Sequence, residues 1–177
     1  MTTSSVVVQD TSQIYQIYIK AEPEAIWEAL VDPEWTNRYG YTGFAHYDLR
    51  PGGKYQVVAN DEFKAAADAA GFPCPDVVVD GEVIEADPPK RLVTTWRMLM
   101  DPRCVSEGFT VVTHEIEPQG NGACKLTLTH RMDSTHATIS QLVSGRTGAG
   151  GNGGGGGHAW VLSDLKSLLE TGAGLAG

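Results

Sequence analysis

Apolar and polar positions alternate with a period of two along most of this chain, and with a helical period near its end. Gln13 to Lys20 (QIYQIYIK) alternates β-branched and aromatic residues with polar ones, which predicts a strand. Pro23 suits a first helical turn, and Ile26, Trp27 and Leu30 form a stripe behind it, predicting a helix. Asp32-Pro33 restarts the chain into a second short helix over Glu34 to Tyr39. Phe44 to Leu49 and Lys54 to Ala59 predict a hairpin about Arg50-Pro51-Gly52-Gly53. Asp61 to Ala70 predicts a helix closed by Gly71. Val77 to Ala86 and Arg91 to Leu99 predict strands flanking Asp87-Pro88-Pro89, and Asp101 to Glu107 reads as a connection. Phe109 to Glu117 and Cys124 to Met132 predict a second hairpin, and Ser134 to Ser144 a further helix. His158 to Thr171 carries the strongest pattern. His158, Val161, Leu162, Leu165, Leu168 and Leu169 fall on one face, Asp164, Lys166, Ser167 and Glu170 opposite, with Gly172 closing the helix.

Runs of strands with segregated helices predict an α+β domain over residues 13–172. Residues 1–12 and 173–177 read as flexible ends. A strongly curved antiparallel sheet must cover its apolar face, and the leucine-striped last helix is the available cover.

Alternation also assigns faces. Leu126, Leu128 and His130 share the apolar face of the last strand, and Val112, His114 and Ile116 that of the strand before it. Placing Ile116 opposite Leu126 sets His114 against Leu128 and Val112 against His130. The two histidines become diagonal neighbours, roughly 7–8 Å apart. Leu92, Thr94, Trp96 and Met98 point the same way from their strand, with Tyr55 and Val57 from the first hairpin and His158 from the last helix.

Composition narrows the classes. The chain has 177 residues and a formal net charge of −9, which argues against nucleic acid and anionic membrane surfaces as partners. No apolar run reaches ~18 residues, so no membrane insertion is expected. No basic start precedes an apolar segment, and a cytoplasmic location is the expectation. Cys74, Cys104 and Cys124 are odd in number and lack CxxC spacing, so neither a disulfide framework nor a cysteine zinc site is expected. Nine of the 21 glycines fall between Gly145 and Gly157, a loop expected to act as a hinge or gate before the last helix.

Six motifs carry a family resemblance. They are PEAIWEAL (from Pro23), DLRPGGKY (from Asp48), GEVIEADPPKRLVTTW (from Gly81), HEIEP (from His114), LTLTH (from Leu126) and WVLSDLKSLLETG (from Trp160). In this order they resemble the START-like, or SRPBCC, superfamily, and within it the family of activator-of-heat-shock-protein-90-ATPase homologues. The resemblance implies a helix-grip fold with a cavity between sheet and terminal helix, often holding an apolar small molecule. Two positions depart from it. His114 stands where relatives often carry a bulky aromatic, and His158 follows Gly155-Gly156-Gly157 where a Trp is common.

The inward histidines admit three readings: hydrogen-bonded core groups, ligand or acid–base groups, or a His-only metal site, for which HxH and HxxxH spacings are lacking. His114 and His130 are the candidate catalytic residues. The candidate ligand-contacting set is Trp35, Tyr39, Tyr55, Val57, Thr94, Trp96, Met98, Val112, Leu128, His158, Val161, Leu162 and Leu165. Tyr39, Tyr41 and Phe44 admit a lid at the cavity mouth, with packing the more common fate of such aromatics. The leading expectation is a monomeric or homodimeric binder of a small apolar or aromatic molecule, with no metal or cofactor. A cyclase- or hydrolase-like enzyme using the histidines is the alternative, and a chaperone-ATPase activator-like module the weaker one.

Overall fold

The computed structural model describes residues 7–145 and 156–175. Among them the order is β1 (Gln13–Ile19), α1 (Pro23–Val31), α2 (Pro33–Thr36), β2 (Phe44–Tyr47), β3 (Lys54–Val58), α3 (Asp61–Ala69) and β4 (Val77–Asp87). There follow β5 (Arg91–Met98), α4 (Pro102–Glu107), β6 (Thr110–Gly120), β7 (Ala123–Arg131), α5 (Ala137–Val143) and α6 (Gly157–Thr171). The seven strands form one antiparallel sheet in the order β1-β7-β6-β5-β4-β3-β2. Consecutive strands are neighbours from β2 to β7, and β1 returns to pair with β7. This is the expected α+β arrangement. No described helix is long and apolar enough to cross a membrane.

The β6–β7 register follows the alternation, with Ile116 facing Leu126, His114 facing Leu128 and Val112 facing His130. α6 lays Leu162, Leu165 and Leu168 onto Leu92, Val112, Ile116, Leu126 and Leu128 in one core cluster. Each such leucine is stabilised by about 1.5–3 kcal/mol through loss of apolar surface to the interior. A second cluster, Cys104, Met132, Ile139 and Val143, lies under α4 and α5.

Five local features differ from the sequence expectation. Asp101 to Glu107 is not a plain connection, because the Asp101 carboxylate accepts the Arg103 N–H and Pro102 opens α4. α2 ends at Thr36, short of Tyr39. Residues 9–12 are held rather than frayed: Thr11 N–H donates to Met132 O at 3.1 Å, and Ser134 N–H to Gln9 O at 2.8 Å. In the tail, Leu175 N–H donates to Asp164 at 2.6 Å. Asp164 itself, assigned to the outer face, is only 5% exposed. Its second oxygen accepts the Gly40 N–H at 2.7 Å, so a buried carboxylate ties α6 to the loop after α2. The glycine-rich run expected to gate the interior falls mostly on 146–155, outside the described residues.

The start of α6 is fixed from both sides. Gly157 adopts φ +54°, and a Cβ there would lie 2.0 Å from Val143 O at the end of α5, so only glycine fits. The Gly157 N–H donates to the Tyr41 hydroxyl at 3.0 Å, which supplies a cap that Gly156 lacks.

Candidate functional site

The site is built where β5, β6, β7 and β1 face the first turn of α6. Strand parity aims Thr110, Val112 and His114 inward from β6, and Leu126, Leu128 and His130 inward from β7. His130 is fully buried. Its Nε2 lies 2.6 Å from Thr110 Oγ1, and its Nδ1 lies 2.8 Å from His158 Nε2. Thr110 Oγ1 also donates to Trp96 O at 3.1 Å. Trp96 meets the His130 ring edge-on at 5.2 Å, and Tyr15 meets the His158 ring edge-on at 5.6 Å. The result is a polar chain of Thr110, His130 and His158 walled by aromatic rings.

The register leaves His114 and His130 diagonal neighbours, but their ring nitrogens are engaged differently. His130 spends both ring nitrogens on Thr110 and His158, while His114 has no hydrogen-bond partner among the described residues. His114 retains accessible surface although it points into the fold. Burial pushes all three imidazoles down, His114 and His158 to about 4 and His130 to about 3, so all are neutral near pH 7. For His130 the neighbouring His158 adds to the effect of burial, since two like charges are disfavoured together. Among the described residues no three His, Cys, Asp or Glu side chains come together as metal ligands.

The other predicted contact residues divide by accessibility. Trp35, Val57, Trp96, Met98, His158 and Val161 are half-buried and pack on the edge of the core. Thr94, Val112, Leu128, Leu162 and Leu165 are buried within it. Tyr39 is buried and donates to Ala29 O at 2.8 Å, so it belongs to the core rather than to a lid. Tyr41 likewise caps α6. Tyr55 is buried and stacks on Tyr47 at 4.5 Å. Burial pushes the Tyr55 hydroxyl up to about 12 and that of Tyr47 well above its ordinary value.

Sequence reasoning missed Thr110, Tyr15 and Tyr47. The signal for Thr110 was present: it lies two residues before Val112 on the inward face of β6. The cysteines are all free, and burial raises the Cys104 thiol to about 11, which leaves it unreactive. A surface depression of about 650 Å³ lies elsewhere, between Pro73 to Pro75 and α4. Cys74 is its one titratable lining residue, so it lacks the convergent chemistry of the histidine region.

Solved structures with the same fold are several. A protein from Bordetella parapertussis, BPP1335, is 20% identical with a TM-score of 0.63, covering 94% of this chain and 78% of that one. CalU16 from Micromonospora echinospora is 19% identical with a TM-score of 0.59, covering 96% and 78%. The Hsp90 activator PFC0360w from Plasmodium falciparum is 20% identical with a TM-score of 0.52, covering 73% and 85%. No curated protein matches significantly. At these identities the structural likeness establishes the fold alone, and it is the helix-grip arrangement of sheet and terminal helix. The sequence itself carries the closer assignment, because the model of the Activator of Hsp90 ATPase homolog 1-like protein family matches residues 20–170. With its fold and nearly all of its length accounted for in this way, the chain belongs to the Activator of Hsp90 ATPase homolog 1-like family.

Proposed function

We propose that this protein binds a small, mostly apolar or aromatic molecule between the inner face of the sheet and α6. One observation carries the reading. His114 points into the fold from β6 and Tyr47 packs on the core from β2, and both keep accessible surface. Surface left on inward-facing side chains is what a recess between the sheet and α6 requires. Half-buried Trp96, Met98, Val57 and Tyr15 supply it with apolar and aromatic walls. Small-molecule sites have this character: mostly apolar lining with a few aimed polar groups.

Binding is favoured over acid–base catalysis by the histidines. An efficient general base has a pKa near the working pH. Imidazoles lowered to about 4 are weak bases near neutrality, whereas a neutral imidazole remains a good hydrogen-bonding anchor.

The test is titration with N-phenylnaphthylamine, a neutral apolar dye that brightens out of water. The expected result is saturable binding with quenching of tryptophan emission, and its loss in His114→Trp, whose larger ring fills the recess. Absence of saturable binding to the unaltered protein overturns the proposal.

A further inference from the structure

We propose that the Thr110–His130–His158 chain presents Nδ1 of His158 as a fixed hydrogen-bond acceptor, and that the bound molecule is a neutral aromatic carrying a hydroxyl group. This rests on the interior-binding reading above and names the chemical class of its occupant.

The direction of the chain follows from counting protons. Thr110 has one hydroxyl proton and donates it to Trp96 O. Its oxygen therefore faces His130 Nε2, 2.6 Å away, as an acceptor, and His130 carries its proton on Nε2. A neutral imidazole has a single N–H, so His130 Nδ1 holds a lone pair. That lone pair lies 2.8 Å from His158 Nε2, which must then be the protonated nitrogen of His158. His158 Nδ1 is left as a bare acceptor. Reversing the chain requires Thr110 to withdraw its proton from Trp96 O.

The bare nitrogen is available. No described residue hydrogen-bonds to it. Nor is it sealed from solvent without a partner, since among the described residues Thr11 Oγ1 is the one side-chain atom in that state. Its setting at the first turn of α6 opposes protonation, because the positive end of a helix dipole disfavours a second positive charge.

An acceptor selects donors. An ether or ketone oxygen would set lone pair against lone pair. An ammonium group is a donor, but burying its charge without a counter-ion is costly. Asp164, the buried carboxylate of α6, is committed to the Gly40 and Leu175 N–H groups. A hydroxyl meets the requirement without a charge. Trp96 and Tyr15, set edge-on to the two imidazoles, offer rings against which an aromatic body packs.

Two measurements test this. The first is titration calorimetry with naphthol and with methoxynaphthalene, which differ in the donor alone. Naphthol is expected to bind about tenfold more tightly, the worth of one well-placed hydrogen bond. In Thr110→Val the ratio should fall to about threefold or less, because His130 is no longer held in one tautomer. Equal affinities in the unaltered protein, or an unchanged ratio in Thr110→Val, overturn the acceptor assignment and leave the binding reading standing. Failure of both probes to bind overturns the binding reading and this proposal with it. The second is heteronuclear NMR of the histidine rings in the ligand-free protein. Both His130 and His158 are expected in the Nε2–H tautomer, and an Nδ1–H form of either overturns the proposal whatever the probes do.

Discussion

Two parts of the interior bury polar aromatic side chains, and they do so differently. Near β2 and β3, Tyr39, Tyr47 and Tyr55 settle their hydroxyls locally, Tyr39 on Ala29 O and Tyr47 against Tyr55. Near β6, β7 and α6, His130 and His158 form a chain with a loose end, since His158 uses one nitrogen of two, and among the described residues His114 stands near it unpartnered. Desolvation acts on both groups, driving the phenols up and the imidazoles down. The difference lies in satisfaction. A buried polar group that is fully paired holds the fold together, whereas one that is unpaired but accessible waits for something else.

The contrast can be broken most forcefully at His130, the one histidine that is both buried and fully paired. His130→Ala should cost about 3 kcal/mol, since it leaves a cavity and strands Thr110 and His158. Denaturant titration reads this directly, and a loss below about 1 kcal/mol would place His130 with the unpaired group.

Next in size is pH. His130 has a folded pKa of about 3 against an ordinary value of 6.5, so as pH falls the unfolded chain takes the proton first. Its contribution is complete above 6.5 and is lost as pH falls from there toward 3, at about 1.4 kcal/mol per pH unit. The tyrosine region answers to alkali instead. With Tyr55 raised to about 12 from 10, its contribution holds below 10 and is lost as pH climbs through that range. Unfolding free energies measured from pH 4 to 11 should show the acid limb flattened in His130→Leu and the alkaline limb flattened in Tyr55→Phe. Identical acid limbs for His130→Leu and the parent would refute the assignment.

Tyr39→Phe comes third. It removes one hydroxyl and leaves Ala29 O unpaired, at about 1 kcal/mol, with no effect on the naphthol preference. A change in that preference would show the two regions to be coupled.

The smallest effect is the most telling. His114→Leu should leave stability within about 0.5 kcal/mol of the parent, because an unpartnered polar group gives way to an apolar one of similar size. A larger loss in thermal denaturation would reveal a partner for His114 and erase the contrast.

The ladder between β6 and β7 was legible in the sequence because alternation is strict from Val112 to Ile116 and from Leu126 to His130, and the Asn121-Gly122 turn joins the two strands. The inward aim of His114 and His130 followed from the same rule, and that of His158 from the helical stripe of α6. The bond between His130 and His158 did not, since it depends on where α6 begins. That position is set by Tyr41 and by the contact of Gly157 with Val143, both distant in sequence. Asp164 misled for a related reason. A carboxylate on a helical wheel reads as outward by residue type, while its partners are backbone N–H groups of Gly40 and Leu175 that no side-chain pattern reveals. α4 is too short for periodicity to register, although its Asp101-Pro102 start is a recognisable helix signal.

The return of β1 to β7 sets an order of events at synthesis. From β2 onward each strand pairs with the next one along the chain. β1 is made first and has no ladder partner until residue 131 has followed it. During that interval Ile17, Ile19 and Tyr15 lack the surface they are shaped for. The nascent chain thus carries an unpaired, aggregation-capable edge for most of its translation. The strand that covers β7 is the one that must wait longest.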